Sequence, residues 1–352
     1  MLNRRLKIEG ATCRVHMRTF FATSEIRFTA KPTVLQSAAF ITDKQWARNV
    51  IEVSGLSESS DAYEVIILHA YPGHSILIES LLESYDHKQL AWEPRKLYED
   101  HLNSLAALHG TKFAYSRSAF ARGGWFRILD KVLPGDGTAN YAAYHAKLVG
   151  NVPEMFSFIP KLVLSLAKTF HCHLSQFGVV EPILIVTGAE YRLMTEAGHF
   201  WQKTKCMRTA AYELFLRTEL LGTVPVSAFN HTKSSASKSF AYDQTNLYVV
   251  RLTLRSDLDS VCSADDLVYI LKLLKLVNQL KSHRIIPAME RFCPDIGIAL
   301  LKLGISMMDR VRDVPLNTWP EIYRAATTSD QFHCSALYHI FRQQEATVSQ
   351  KE

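Results

Sequence analysis

The chain has no apolar run approaching the roughly 20 residues that span a bilayer; its most apolar stretches, Val65 to Leu68 and Leu267 to Leu280, are short or broken by Lys272, Lys275 and Asn278. A membrane anchor is therefore not expected. Its six cysteines are scattered and none forms a C-x-x-C pair, which argues against a structural zinc and implies no disulfide framework. His171-Cys172-His173 is a tempting ligand cluster, but neighbours on a helix point in different directions. Acidic residues are scarce at the start: Arg4, Arg5, Lys7, Arg14 and Arg18 face Glu9 alone across residues 1–24. That surplus of four leaves only about +2 of the net +6 for the rest of the chain. Basicity of the body is thus weak evidence for a nucleic-acid partner.

What is present is ordinary globular composition, 47% hydrophobic and 21% charged over 352 residues, enough for a large core and two domains. The opening "MLNRRLKIEGATCRVHMRTFFATS" is arginine-rich and ends in small hydroxylated residues. It lacks the apolar core of a secretory signal and has the composition of a mitochondrial transit peptide over 1–24; a merely basic terminus would look similar.

Hydrophobic periodicity then alternates. "AAFITDKQWARNVIEVSGL" reads as a helix from Ala38 to Leu56, with Thr42 or Asp43 as N-cap and Gly55 as its stop. "YEVIILH" reads as a strand buried on both faces. A Pro72-Gly73 turn follows, then helix "ILIESLLESY", strand "KQLAWEP", helix "RKLYEDHLNSLAALHG" and strand "TKFAYS". "AKLVGNVP", "EPILIVTGAEY" and "NLYVVRLTLR" add strands, and "EMFSFIPKLVLSLAKTF" adds a helix. This alternation predicts a parallel α/β sheet. From Ala264 the pattern becomes helical, and "RQQEATVSQKE" closes the chain as a polar tail. The expected divisions are 1–24, a sheet domain over 25–260, a small helical domain over 261–338 and the tail over 339–352.

In such sheets ligands bind beyond the carboxyl ends of the strands. The turn from His69 to Ser75 and the acid Glu93 at the end of the next strand are the candidate pocket. Glu93 sits where an acid would accept hydrogen bonds from ribose hydroxyls; a plain surface glutamate before a turn reads the same. Asn151-Val152-Pro153 has the form of an N-x-P turn, whose amide and carbonyl can accept a target amino group's hydrogens. Lys112, Arg117, Arg122, Arg127 and Lys131, interleaved with Phe113, Tyr115, Phe120, Trp125 and Phe126, make a candidate nucleic-acid surface; a solvated loop with core aromatics is the alternative. Arg95 and Tyr98 are weaker candidates for the same role.

Taken in order, these segments resemble the rRNA adenine N6-dimethyltransferases and their mitochondrial transcription factor B relatives. "FITDKQWARNVIEVSGL", "VIILHAYPGHSILIESLL", "LAWEP", "LVGNVP" and "VPVSAFNHTKSS…LYVVRLTLR" are similar to the family's successive motifs, from about Phe40 to Ser329. The resemblance implies a Rossmann-like S-adenosylmethionine methyltransferase fold with a small C-terminal helical domain. It places cofactor contacts at His69, Gly73, Glu93, Ser118 and Asn151, with Asn151 and Pro153 in the catalytic turn. It also marks departures. The family's first-motif acid falls at His69, and its glycines fall at Tyr71, Gly73 and Ser75, so one glycine remains. Tyr71-Pro72-Gly73 resembles the fungal transcription factor version of the turn. A base-stacking aromatic is replaced by Glu154. Losing a carboxylate near a sulfonium removes charge-assisted hydrogen bonds worth about 1.5–3 kcal/mol each.

The expectation is therefore a mitochondrial transcription initiation factor with methyl transfer weak or lost and no requirement for S-adenosylmethionine. Its implied partners are the single-subunit mitochondrial RNA polymerase and promoter DNA, including the single-stranded non-template strand. Its implied place is the mitochondrial matrix, as a monomer when free. The alternatives are an active mitochondrial rRNA adenine dimethyltransferase, with Asn151 and Glu93 at work, and a non-catalytic RNA-binding protein.

Overall fold

The computed structural model describes residues 40–74, 76–120, 133, 141–153, 155–168, 173–204, 207–230 and 245–349. Of the residues expected to act, Ser75, Arg122, Trp125, Arg127, Lys131 and Glu154 lie outside these, as do residues 1–24.

The chain enters through a short strand β1 (Phe40–Ile41), then helix α1 (Lys44–Ser54). The helix begins later than its sequence pattern predicts, for a local reason. Asp43 is the cap: its carboxylate accepts from the N–H groups of Gln45 and Trp46 at 2.8 and 3.1 Å. Phe40 and Ile41 stay extended because they pair with Asn230 and Phe229, far along the chain. At the other end Gly55 takes the left-handed conformation, φ 64°, that closes a helix.

Then come β2 (Glu64–Ala70), α2 (Ile76–Ser84), β3 (Lys88–Trp92), α3 (Glu99–His109) and β4 (Phe113–Ser116). They are followed by β5 (Tyr144–Gly150), α4 (Met155–Leu166) and β6 (Val179–Thr187). Helices α5 (Gly188–Thr195), α6 (Ala197–Thr204) and α7 (Met207–Leu214) lead to β7 (Leu216–Pro225), β8 (Phe229–Asn230) and β9 (Asn246–Leu254). The main sheet has the order β4-β3-β2-β5-β6-β9-β7. Its first five strands are parallel, and β9 runs antiparallel to both β6 and β7. Numbering only the sheet strands gives 3-2-1-4-5-7-6 with the seventh reversed, which is the Rossmann-like methyltransferase arrangement. The fold class expected from the sequence is the one observed.

Alternation along β2 sends Ile66 and Leu68 to one face and Val65 and Ile67 to the other. The second face packs under α1 and α2 through Val50, Ile51, Leu77 and Leu81. The first packs under α4 and α7, and its core continues without a break into the C-terminal helices. These are α8 (Leu258–Val261), α9 (Leu267–Gln279), α10 (Ile285–Glu290), α11 (Ile296–Lys302), α12 (Trp319–Thr327) and α13 (Ala336–Ser349). Ile270 and Leu274 of α9 and Trp319 of α12 belong to the same cluster as Phe158 and Leu162 of α4. The helical part thus shares the sheet's core. Helix α13 also runs across position 339, where the polar tail was expected to begin; Leu337 and Phe341 are buried and anchor it.

Among the described residues no helix is long and apolar enough to cross a membrane, and no cluster of side chains could hold a metal ion.

Candidate functional site

Strand order reverses between β2 and β5, so their carboxyl ends open the crevice where α/β sheets place ligands. The two strands approach very closely there. Ala70 pairs with Gly150, and a Cβ on Gly150 would lie 2.1 Å from the Ala70 carbonyl oxygen.

Past β2 the chain turns through two left-handed residues, Tyr71 at φ 56° and Gly73 at φ 63°. The Tyr71 N–H donates to the Trp92 carbonyl at 2.9 Å, and its ring is buried in the core. Gly73 lies against Phe40, whose ring would be 2.2 Å from an added Cβ. β1 thereby delivers an aromatic ring onto the turn that the sequence reading assigned to a cofactor.

Glu93, just beyond β3, is the centre of this arrangement. Its side chain is wholly buried. One carboxylate oxygen accepts from the Arg95 N–H at 3.0 Å and from Arg95 Nε at 2.7 Å. The other accepts from Arg95 Nη2 at 2.7 Å and from the Gly73 N–H at 3.0 Å. Arg95 is in turn held over the rings of Tyr98 and Phe40, at 4.7 and 5.7 Å from their centroids. A carboxylate offers about four acceptor sites; here four donors of the protein itself take them.

His69 is the penultimate residue of β2, at the position where the sequence resemblance set a histidine in place of an acid. It is buried and donates from Nε2 to the Gln89 side-chain oxygen at 2.9 Å. Burial drives its pKa down from 6.5 to about 4, against the opposing pull of the Gln89 hydrogen bond. The imidazole is therefore neutral in the folded protein. An unfolded chain binds this proton below pH 6.5 and the native state does not until about pH 4, so stability falls across that window and levels off below it. The loss is on the order of 3 kcal/mol. Urea titrations at successive pH values should show this slope, and His69→Gln should flatten it.

Asn151 and Pro153 follow β5 as expected. The Asn151 amide donates to the Ile185 carbonyl of β6 at 2.9 Å, tying the turn to the neighbouring strand; Pro153 is half-buried. Asn151, His69 and Tyr71 line one cavity with Phe40 and Ile185, of about 30 Å³. That holds one or two water molecules. Ser118 lies beyond β4, its hydroxyl 2.9 Å from that of Ser116. Glu93 and Ser116 are joined by a backbone hydrogen bond of 3.0 Å, so Ser118 lies one strand away from the acid.

The fold thus brings His69, Gly73, Glu93 and Asn151 together, but these residues do not fit S-adenosylmethionine in this arrangement. The acid expected to accept a ribose is saturated, the side chain expected near a cationic sulfonium is a neutral imidazole, and Phe40 covers the remaining glycine. Sequence reading missed Phe40 as part of the site and read Arg95 and Tyr98 outward, toward nucleic acid. The available signal was Glu93-Pro94-Arg95: an acid and a base on either side of a proline, which fixes their separation. On the expected nucleic-acid surface, Phe113 and Phe120 are core residues, and Phe120 packs edge-on against Trp92 and Phe158. Arg117 is exposed and paired with Glu99 at 3.2 Å.

The sequence matches no protein-family model and no curated protein. Among solved structures, the chain is similar to a precorrin-6y C5,15-methyltransferase from Geobacter metallireducens, at 13% identity and TM-score 0.34 over 65% of this chain and 95% of that one. It is also similar to a putative RNA methyltransferase from Pyrococcus horikoshii, at 12% identity and TM-score 0.33 over 66% and 94%. At these scores the likenesses carry no argument, and the methyltransferase-like fold rests on the strand order of the sheet itself.

Proposed function

We propose that this methyltransferase fold works as a mitochondrial transcription initiation factor, aiding promoter recognition and DNA melting with the single-subunit mitochondrial RNA polymerase, and that it does so without S-adenosylmethionine. The observation that carries the non-catalytic half is Glu93. An acid whose acceptor sites are all taken by Gly73 and Arg95 has none to offer a ribose. The transcriptional half is supported by the ordered motifs from Phe40 to Ser329 and by the Tyr71-Pro72-Gly73 turn. Promoter DNA, including the separated non-template strand, is the partner in this reading, the matrix is its site of action, and the free protein is a monomer.

Two measurements test it. Calorimetry with S-adenosylmethionine is expected to show no binding in the micromolar range; clear micromolar affinity, together with methylation of small-subunit rRNA, would favour the adenine dimethyltransferase instead. A run-off assay with the cognate polymerase is expected to show stimulation on a duplex promoter and little dependence on the protein once the promoter is pre-melted. Failure to stimulate the duplex template sinks the transcriptional reading.

A further inference from the structure

Far along the chain, residues 281–285 and 309–312 run side by side as a short antiparallel ladder. The Ile285 N–H donates to the Asp309 carbonyl at 2.9 Å, the Val311 N–H to His283 at 3.0 Å and the Arg312 N–H to Lys281 at 3.1 Å. Arg284 and Arg310 are direct bridge partners. Facing residues of such a pair lie about 4.5–5.5 Å apart at Cα and project to the same side. Two guanidinium groups are therefore set next to each other, a placement that costs stability when like charges face across strands.

Among the described residues no carboxylate pairs with either guanidinium. Lys281, His283, Arg284, Arg310 and Arg312 are all exposed. Among the described residues Lys281, Arg284 and Arg310 have no acidic side chain within ion-pair distance, and only Arg312 does, with Asp313 at 3.5 Å. The two nearby aspartates are engaged with the backbone: Asp309 accepts from the Ser306 N–H at 2.8 Å and Asp313 from the Arg310 N–H at 3.1 Å. Immediately before this ladder, Met307 and Met308 are each 65% exposed. The edge therefore combines unneutralised planar cations with polarisable apolar side chains.

We infer that this edge of the helical part binds the phosphate backbone of single-stranded nucleic acid, with Arg284 and Arg310 on phosphate oxygens and Met307 and Met308 against unstacked bases. Guanidinium forks match phosphate geometry bidentately. Thioethers adapt to flat faces without demanding a sequence. A closed duplex offers phosphates but no free base faces, which is why the methionines favour a single strand. The inference rests on the nucleic-acid half of the proposed function and gives it a surface that the sequence did not suggest.

The test uses the full chain and a fluorescein-labelled single-stranded DNA, with anisotropy read between about 50 and 200 mM salt. Removing two phosphate contacts in Arg284→Ala/Arg310→Ala is expected to reduce the slope of log affinity against log salt by about 1.4, and to weaken binding on the order of tenfold near 0.1 M. Arg284→Lys/Arg310→Lys should keep most of the slope. Because both side chains are exposed and repel each other, thermal melting of the alanine variant should be no lower than that of the parent. Equal slope and affinity for parent and alanine variant would overturn the inference while leaving the proposed function standing. A parent protein with no salt-dependent binding to the strand would overturn both. Loss of binding to phosphatidylserine vesicles with strand binding intact would assign the edge to a membrane surface and overturn the inference.

Discussion

Arg95→Ala is expected to lower the free energy of unfolding by about 3–5 kcal/mol, the range for stranding one partner of a buried ion pair. Glu93 makes the loss large. Its side chain has no solvent exposure, whereas that of Arg95 keeps 13%. In the alanine variant the carboxylate loses both guanidinium donors and the balancing charge, and keeps only the backbone N–H groups of Gly73 and of residue 95. The converse change, Glu93→Gln, should cost less, about 1.5–3 kcal/mol. The amide oxygen can still accept from Arg95, whose side chain already reaches solvent and keeps its place over Tyr98 and Phe40. Urea denaturation of both single variants and of the pair completes a double-mutant cycle. If Arg95→Ala costs no more than an exposed arginine would, about 0.5 kcal/mol or less, Glu93 is not held as described.

The second large effect is expected at Gly150. An alanine Cβ there would sit 2.1 Å from the Ala70 carbonyl oxygen and 3.0 Å from its carbon, at a backbone φ of 144°. Both obstacles are backbone atoms of a central strand, so no side chain can swing aside. Relief requires separating the ends of β2 and β5. Gly150→Ala should therefore cost about 4 kcal/mol or more, at the exceptional end for single substitutions. Gly110 is the control, because it too has a positive φ, 54°, but an added Cβ meets nothing within 4 Å. Gly110→Ala should cost about 1–3 kcal/mol, from backbone strain alone. Comparable urea midpoints for the two variants would show that crowding between the strands is not what requires glycine at 150.

The same contrast between central and peripheral strands explains what could be read from the sequence. β2, β5 and β6 are buried on both faces, so their side chains must be apolar and the runs announce themselves. β7 went unread because it lies at the sheet edge. Its residues are mostly exposed or half-buried, and a bulge between Leu220 and Gly222 breaks its alternation. Asp43 and Gly55 were legible because capping depends on one side chain and one φ angle. Phe40 was misread as helical because its pairing partner, Asn230, is remote in sequence.

The site divides in the same way. The positions of His69, Gly73, Glu93 and Asn151 follow from strand ends, which periodicity locates. Their present occupation does not, because it depends on side chains arriving from elsewhere: Phe40 from β1, and Arg95 folded back onto the acid two residues before it. The arginine ladder was hidden for a related reason. Lys281, Arg284, Arg310 and Arg312 are unremarkable in a basic chain until the fold sets two separate segments in register.

Tyr71 sets the energetic cost of opening the turn. A non-glycine residue held left-handed pays about 1–2 kcal/mol, so a change to glycine would relieve the backbone. The ring, however, fills space in the main core, and emptying a buried aromatic site costs about 3–5 kcal/mol. The single step toward a glycine-lined turn is therefore uphill by a few kcal/mol. Reopening the turn also requires moving Phe40 and releasing Glu93 from Arg95, each of them a loss when taken alone. The turn is thus held closed by several contacts at once, and each single substitution toward an open turn costs stability.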